Sequence, residues 1–145
     1  MDTKGGFLIS RVKRVGSRRF DRLLAESGID AFNGAQGKIL YVLWQKEGIS
    51  IVELSKAVGL AKTTLTSMLD RMEESGLIQR QPAPEDKRKS LLFLTDRARG
   101  LQSKYDEVSE KMNEIYFEGF TKQDIERFEG YLQRVLTNIQ KEDSL

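Results

Sequence analysis

The chain has 145 residues, 24 of them basic and 22 acidic, for a formal net charge of +2, and it contains neither cysteine nor histidine. That length fits one domain with a real core, and the two missing residue types exclude disulfides, thiol chemistry and the usual general base, metal ligand and pH switch. No apolar run approaches a membrane helix and the charged N-terminus lacks the apolar core of a signal peptide, so a soluble cytoplasmic protein is expected.

In the first segment Leu8, Val12, Val15, Leu23 and Leu24 recur at roughly helical spacing, weakened by Gly16 and Ser17. Asn33-Gly-Ala-Gln36 reads as the cap of a second helix, apolar around much of its circumference at Ile39, Leu40, Val42, Leu43 and Trp44, which Lys46-Glu-Gly48 ends. Ser50-Ile-Val-Glu53 is a capping box, predicting a helix from Ser50 to about Val58. Gly59 supplies a left-handed stop, and only Leu60 and Ala61 precede the next periodic run. There Leu65, Met68, Leu69 and Met72 share one face, and Ser75-Gly76 closes the helix. Two short helices across so tight a turn make a helix-turn-helix.

Leu77–Gln81 and Ser90–Leu94 are strand-like runs of a hairpin, with Pro82 and Pro84 keeping the segment between them out of the ladder. The tip gathers Lys87, Arg88 and Lys89 beside Asp86. A charge run alone is most often a solvated loop. Directly behind a helix-turn-helix, a cationic loop lies along a phosphate backbone or enters the minor groove, where arginine is electrostatically favoured. Thr95 then caps a long helix from Asp96 to about Glu118. After Gly119, Thr121 opens the last one, with Ile125, Phe128, Leu132, Val135, Leu136 and Ile139 on one stripe.

Charge is polarised along the chain. Residues 1–24 hold seven bases against two acids, residues 77–99 six against three, and residues 106–145 five against ten. A basic front and an acidic tail suit a module that turns one side to DNA. Trp44, Phe93, Tyr105, Phe117 and Tyr131 fall at helix or strand spacing, which favours core positions over a ligand cage. Neither a phosphate-binding Gly-x-x-x-x-Gly-Lys run nor a dinucleotide fingerprint is present, and no carboxylate or lysine constellation suggests an enzyme.

Three stretches carry a resemblance: Pro84-Glu-Asp86-Lys-Arg88 followed by Leu92-Phe-Leu94-Thr95, then Leu69-Asp70-Arg71-Met72-Glu73-Glu74-Ser75-Gly76-Leu77-Ile78, and Phe120-Thr-Lys-Gln-Asp124. In that order and at those spacings they resemble the wing tip and strand exit, the recognition-helix ending and the final capping box of MarR-family transcriptional regulators. The likeness covers nearly the whole chain. It implies a mainly α fold with a small β-hairpin wing: a winged helix-turn-helix over 33–99 (wing 77–94), flanked by an N-terminal dimerisation helix (1–32) and C-terminal dimerisation helices (100–145).

It further implies a homodimer joined by the first, fifth and sixth predicted helices, with no cofactor. Such a dimer sets its recognition helices ~34 Å apart on double-stranded DNA and represses from a pseudo-palindromic operator. A small aromatic or anionic effector, bound between the dimerisation helices and the winged module, would release it. Lys62, Thr63, Thr64 and Ser67 open the recognition helix where base edges are read. Ala61 is a poor cap, so Thr63 either reads DNA or caps its own helix. Arg71 meets a phosphate or Glu74, Arg88 enters the minor groove oriented by Asp86, and Lys87 and Lys89 contact the backbone. Gly37 either widens an effector pocket, with Arg14 or Arg18 as anion partner, or lets two helices pack closely. Peroxide sensing through a thiol is excluded by the absence of cysteine.

Two other readings use the same residues. A winged helix can be a protein-interaction module without sequence-specific DNA binding, and the basic first segment can lie on an anionic membrane with Phe7, Leu8 and Ile9 inserted. An adaptor has no need of an arginine projecting beside an orienting aspartate, so the wing tip favours DNA.

Overall fold

A computed structural model of the chain describes residues 1–143. Seven helices and three strands follow one another among them: α1 (Gly5–Glu26), α2 (Gly34–Gln45), β1 (Ile49–Ser50), α3 (Ile51–Val58), α4 (Lys62–Glu74), β2 (Ile78–Pro82), β3 (Ser90–Leu94), α5 (Asp96–Arg99), α6 (Gln102–Tyr116) and α7 (Lys122–Asp143). They form two compact units, Met1–Ser109 and Glu110–Leu145. The predicted mainly α fold with a winged helix-turn-helix is what the chain adopts.

Local capping fixes where several helices begin. The Asn33 side chain accepts the Gln36 N–H at 2.9 Å while the Gln36 side chain accepts the Asn33 N–H at 3.2 Å. Thr121 and Asp124 repeat that reciprocal pattern at 3.0 and 2.9 Å ahead of α7. Each device satisfies backbone donors that a helix start leaves orphaned.

The hairpin gains a third strand that the sequence reading lacks. The sheet order is β1-β3-β2, all antiparallel, with Ile49 opposite Leu92 and Ile78 opposite Leu94. Pro82 is not outside the ladder as predicted but closes it, opposite Ser90. It sits at the end of an edge strand, where a missing N–H costs nothing, and the Ala83 N–H makes the next bond, to the Lys89 carbonyl at 2.9 Å.

The predicted single helix from Asp96 to Glu118 is also interrupted, by Gly100 and Leu101. The Ala98 carbonyl is taken by the Trp44 indole N–H at 3.0 Å and by the Leu101 N–H at 3.1 Å, a bond of tighter pitch than α. α1, by contrast, runs unbroken through Gly16 and Ser17.

One core fills the first unit. Leu24, Ile39, Leu40, Leu43, Leu54, Leu65, Leu69, Met72, Leu92 and Val108 are at most 2% exposed and belong to a single cluster. Each buried side chain of that size stabilises by about 1.5–3 kcal/mol. Tyr105 lies among Phe20, Phe32 and Trp44, with ring centroids at 5.7, 6.0 and 5.1 Å. A Cβ at Gly37 would come within 2.8 Å of the Tyr105 ring and 3.2 Å of Phe32. The glycine therefore serves close packing, and the space it leaves is filled by those two rings.

In the second unit Phe117, Phe120 and Phe128 meet edge to face, at 5.7, 6.0 and 6.4 Å. Phe128, Leu132, Val135, Leu136 and Ile139 are all exposed along α7, as is Tyr131, which the sequence reading assigns to a core.

Glu47, just past the end of α2, clasps the start of the C-terminal helices. Its carboxylate accepts the Leu94 N–H at 2.8 Å and two guanidinium N–H groups of Arg99 at 2.9 and 3.2 Å. The Arg99 bonds, with the Leu94 N–H in support, hold its pKa below the ordinary 4.5 against a partial desolvation cost. A depressed carboxylate pKa contributes stability that is whole above the unfolded value and is lost as pH falls through the folded one. We therefore expect Glu47→Gln to lower the urea midpoint at neutral pH, with the gap to wild type closing below about pH 4.5. Urea titrations across that window check this, and a gap independent of pH would contradict it.

Candidate nucleic-acid interface

The helix-turn-helix is assembled from caps outward. The Ser50 Oγ accepts the Glu53 N–H at 3.2 Å, fixing the first turn of α3 as predicted. Gly59 ends the helix at φ 70°, a left-handed value that a side chain would disfavour, and its N–H reaches the Ser55 carbonyl at 2.9 Å. The Ser55 hydroxyl donates to the Leu60 carbonyl at 2.6 Å and so pins the turn itself.

α4 starts at Lys62, one residue after Ala61, whose side chain makes no cap. Thr63 is thus inside the helix and does not cap it. With Leu65, Leu69 and Met72 wholly buried, α4 can turn only its other side to solvent. Lys62, Thr63, Thr64, Ser67 and Arg71 are all exposed there, joined by Thr66, which the sequence reading passed over. Arg71 does not pair with Glu74. Its Nη2 donates back one turn to the Ser67 hydroxyl at 3.2 Å, which brings two of the predicted contact residues together.

The wing tip is a short braced turn. The Asp86 N–H reaches the Ala83 carbonyl at 3.3 Å and the Lys89 N–H reaches the Asp86 carbonyl at 3.0 Å. Asp86 accepts three bonds from Arg88: from its backbone N–H and Nε at 3.1 Å each, and from Nη2 at 3.3 Å. The Arg88 side chain is 90% exposed and that of Asp86 26%, so the carboxylate is the seated partner and the guanidinium the projecting one. Hydrogen bonds from Arg88, with Lys89 nearby, keep the Asp86 pKa below its ordinary value. It stays ionised and holds its arginine. Lys87 and Lys89 flank the pair, both exposed.

Recognition helix and wing are tied by a residue that sequence reasoning missed. The Arg80 Nη2 of β2 donates to the Asp70 carboxylate of α4 at 2.6 Å, and the Arg80 N–H donates to Glu73 at 3.3 Å. Asp70 and Glu73, spaced i,i+3 on one helix, carried the only local signal. From the other side, the Arg97 Nη1 donates to the Ser75 carbonyl at 2.6 Å and the Thr95 hydroxyl to the Gly76 carbonyl at 2.7 Å.

The residues implied for an effector are dispersed by comparison. Arg14 and Arg18 are exposed on α1, whereas Gly37 is buried beneath Tyr105 and Phe32. Among the described residues no cluster of acids could hold a metal ion, and no helix is long and apolar enough to cross a membrane.

Comparison with known proteins bears on this geometry. Residues 32–90 match the model of the MarR family. The chain is 34% identical over 106 residues to the HTH-type transcriptional regulator TtmR of Methylorubrum extorquens, covering 73% of this chain and 53% of that protein, so it spans about half the length of that relative. It is 27% identical over 136 residues to the HTH-type transcriptional repressor IacR of Pseudomonas putida, covering 92% and 78% of the two. A cysteine-to-serine mutant of MarR from E. coli, complexed with operator DNA, superimposes with a TM-score of 0.77 at 28% identity, over 94% of this chain and 99% of that one.

Proposed function

The chain belongs to the MarR family, and from that premise we propose that it is a transcriptional repressor that binds a pseudo-palindromic operator in double-stranded DNA as a homodimer. The observation that carries the proposal is the paired wing tip, Asp86 seated and Arg88 projecting, on a hairpin braced through Arg80 to a recognition helix whose opening residues Lys62, Thr63 and Thr64 are exposed. An arginine presented this way suits a narrow minor groove, while the start of α4 suits the adjacent major groove. Contacts from Lys62, Lys87 and Lys89 would go to phosphates, fixing register and setting the salt dependence.

The homodimer is supported by what one copy leaves uncovered. Leu8, Val12 and Val15 of α1 are about half exposed, and α7 shows an apolar stripe from Phe128 to Ile139. Apolar surface of that extent on two long helices calls for a partner. A twofold axis would present two recognition helices to successive major grooves, which matches an inverted-repeat target.

Selection of genomic DNA fragments by the purified protein tests the reading. A single enriched inverted repeat, bound at one dimer per site and weakened steeply by salt, is the expected result. Recovery of no fragment at low salt would overturn it and leave a protein-interaction module in its place.

A further inference from the structure

α1 and α6 carry complementary charge stripes that form no ion pair among the described residues. At 3.6 residues per turn, Arg11, Arg14, Arg18 and Arg22 fall within about 80° of the α1 circumference and span ~16 Å of its length. All four are exposed, and none makes an ion pair among the described residues. Asp21, beside them, accepts instead the Gly34 N–H at 2.8 Å. Like charges one turn apart weaken a helix, so the stripe becomes favourable only when an anion from elsewhere covers it.

On α6, Glu107, Glu110 and Glu114 repeat the i, i+3, i+7 spacing that Arg11, Arg14 and Arg18 have on α1. They occupy about 60° of the circumference, away from the side on which Tyr105, Val108 and Met112 are buried. These glutamates are exposed and also make no ion pair among the described residues, and neither does Lys111, one turn beyond Glu107. Next to the arginine stripe, Leu8, Val12 and Val15 form an exposed apolar seam. An apolar seam edged by charge is how paired helices select partner and register.

We propose that the arginine stripe of α1 docks on the glutamate stripe of α6 in a second copy, so that the homodimer is keyed by charge. The inference rests on the homodimer reading above. Equal spacing and opposite sign on two helices of one chain single out a second copy. A phosphate backbone or an anionic membrane would match the arginines and leave the glutamates unanswered. Twofold symmetry makes the contact twice, cancelling four stripes in one assembly. Complementary charge of this kind acts more on partner choice than on raw affinity.

The test uses the full chain and two variants, Arg14→Glu/Arg18→Glu and Glu110→Arg/Glu114→Arg, with folding verified by circular dichroism and association read by sedimentation equilibrium at low and high salt. The expected result is a wild-type dimer that weakens with salt, and variants whose self-association is each weaker by ~10-fold or more. Mixing the two variants should restore wild-type affinity as a heterodimer, because each reversed stripe then meets its opposite. Variants that dimerise like wild type, or a mixture that is not rescued, would overturn the charge key and leave the homodimer standing. If the arginine variant dimerises normally but loses binding to DNA or to anionic vesicles, the stripe belongs to those polyanions and the inference fails. A wild-type chain that is monomeric throughout would instead overturn the homodimer reading itself.

Discussion

Replacing Arg88 by alanine is expected to cost operator affinity ~100-fold while leaving the thermal midpoint unchanged. The Arg88 side chain is 90% exposed and its guanidinium bonds to the wing's own Asp86, so its removal disturbs no core. Surface changes of that kind rarely alter stability. On DNA the loss is counted twice, once per wing of the proposed dimer, at about a factor of ten for each arginine contact. The salt slope should also flatten by about one unit per wing. Asp86→Asn provides the graded control: the positive charge remains but its orientation is loosened, so affinity should fall less and the slope should stay. Fluorescence anisotropy on the selected operator at several salt concentrations measures all three quantities. Wild-type affinity and slope in Arg88→Ala would show that the wing does not reach DNA.

Leu65→Ala is expected to have the largest effect on folding, a loss of about 2–5 kcal/mol from the transfer of the side chain and the cavity left behind. Leu65 is wholly buried in the main cluster and lies in the first two turns of α4, on the face opposite Thr63 and Ser67. A domain of this size has a total stability of about 5–15 kcal/mol, so the variant sits near the edge of folding. Urea unfolding at fixed protein concentration should show a lowered midpoint with an unchanged slope. Below the temperature at which it unfolds, the variant should retain the operator's sequence preference, since every exposed residue of α4 is still present. A change under about 1 kcal/mol would mean the site collapses around the gap, contrary to the close packing seen.

What the sequence disclosed and what it concealed divide along the range of the interactions. The caps at Asn33, Ser50 and Thr121 are reciprocal bonds between residues three apart, and the Asp86–Arg88 pair spans two, so composition and spacing reveal them. β1 is two residues long and is a strand only because Leu91 and Leu92 arrive opposite it. The interruption after Arg99 depends on Trp44, 54 residues earlier, taking the Ala98 carbonyl. The Glu47–Arg99 clasp spans 52 positions and the Arg80–Asp70 tie joins a strand to a helix. The Glu74 alternative for Arg71 fails for a different reason: Glu74 and Ser67 lie at equally natural helical offsets, and the guanidinium folds back to Ser67. At Gly37 the sequence leaves room and contact equally open, because the Tyr105 and Phe32 rings that fill the space come from elsewhere in the chain.

The tie through Arg80 has a mechanical meaning. With β2 fastened to Asp70 and Glu73, and the end of α4 gripped again by Arg97 and Thr95, the reading head behaves as a single stiff casting. Helix and wing cannot be dialled separately. In the proposed dimer, two such heads would keep the gap between them as their adjustment, like the jaws of a calliper. On the proposed function, an effector that released the protein from an operator would work by resetting that gap and not by reshaping either head.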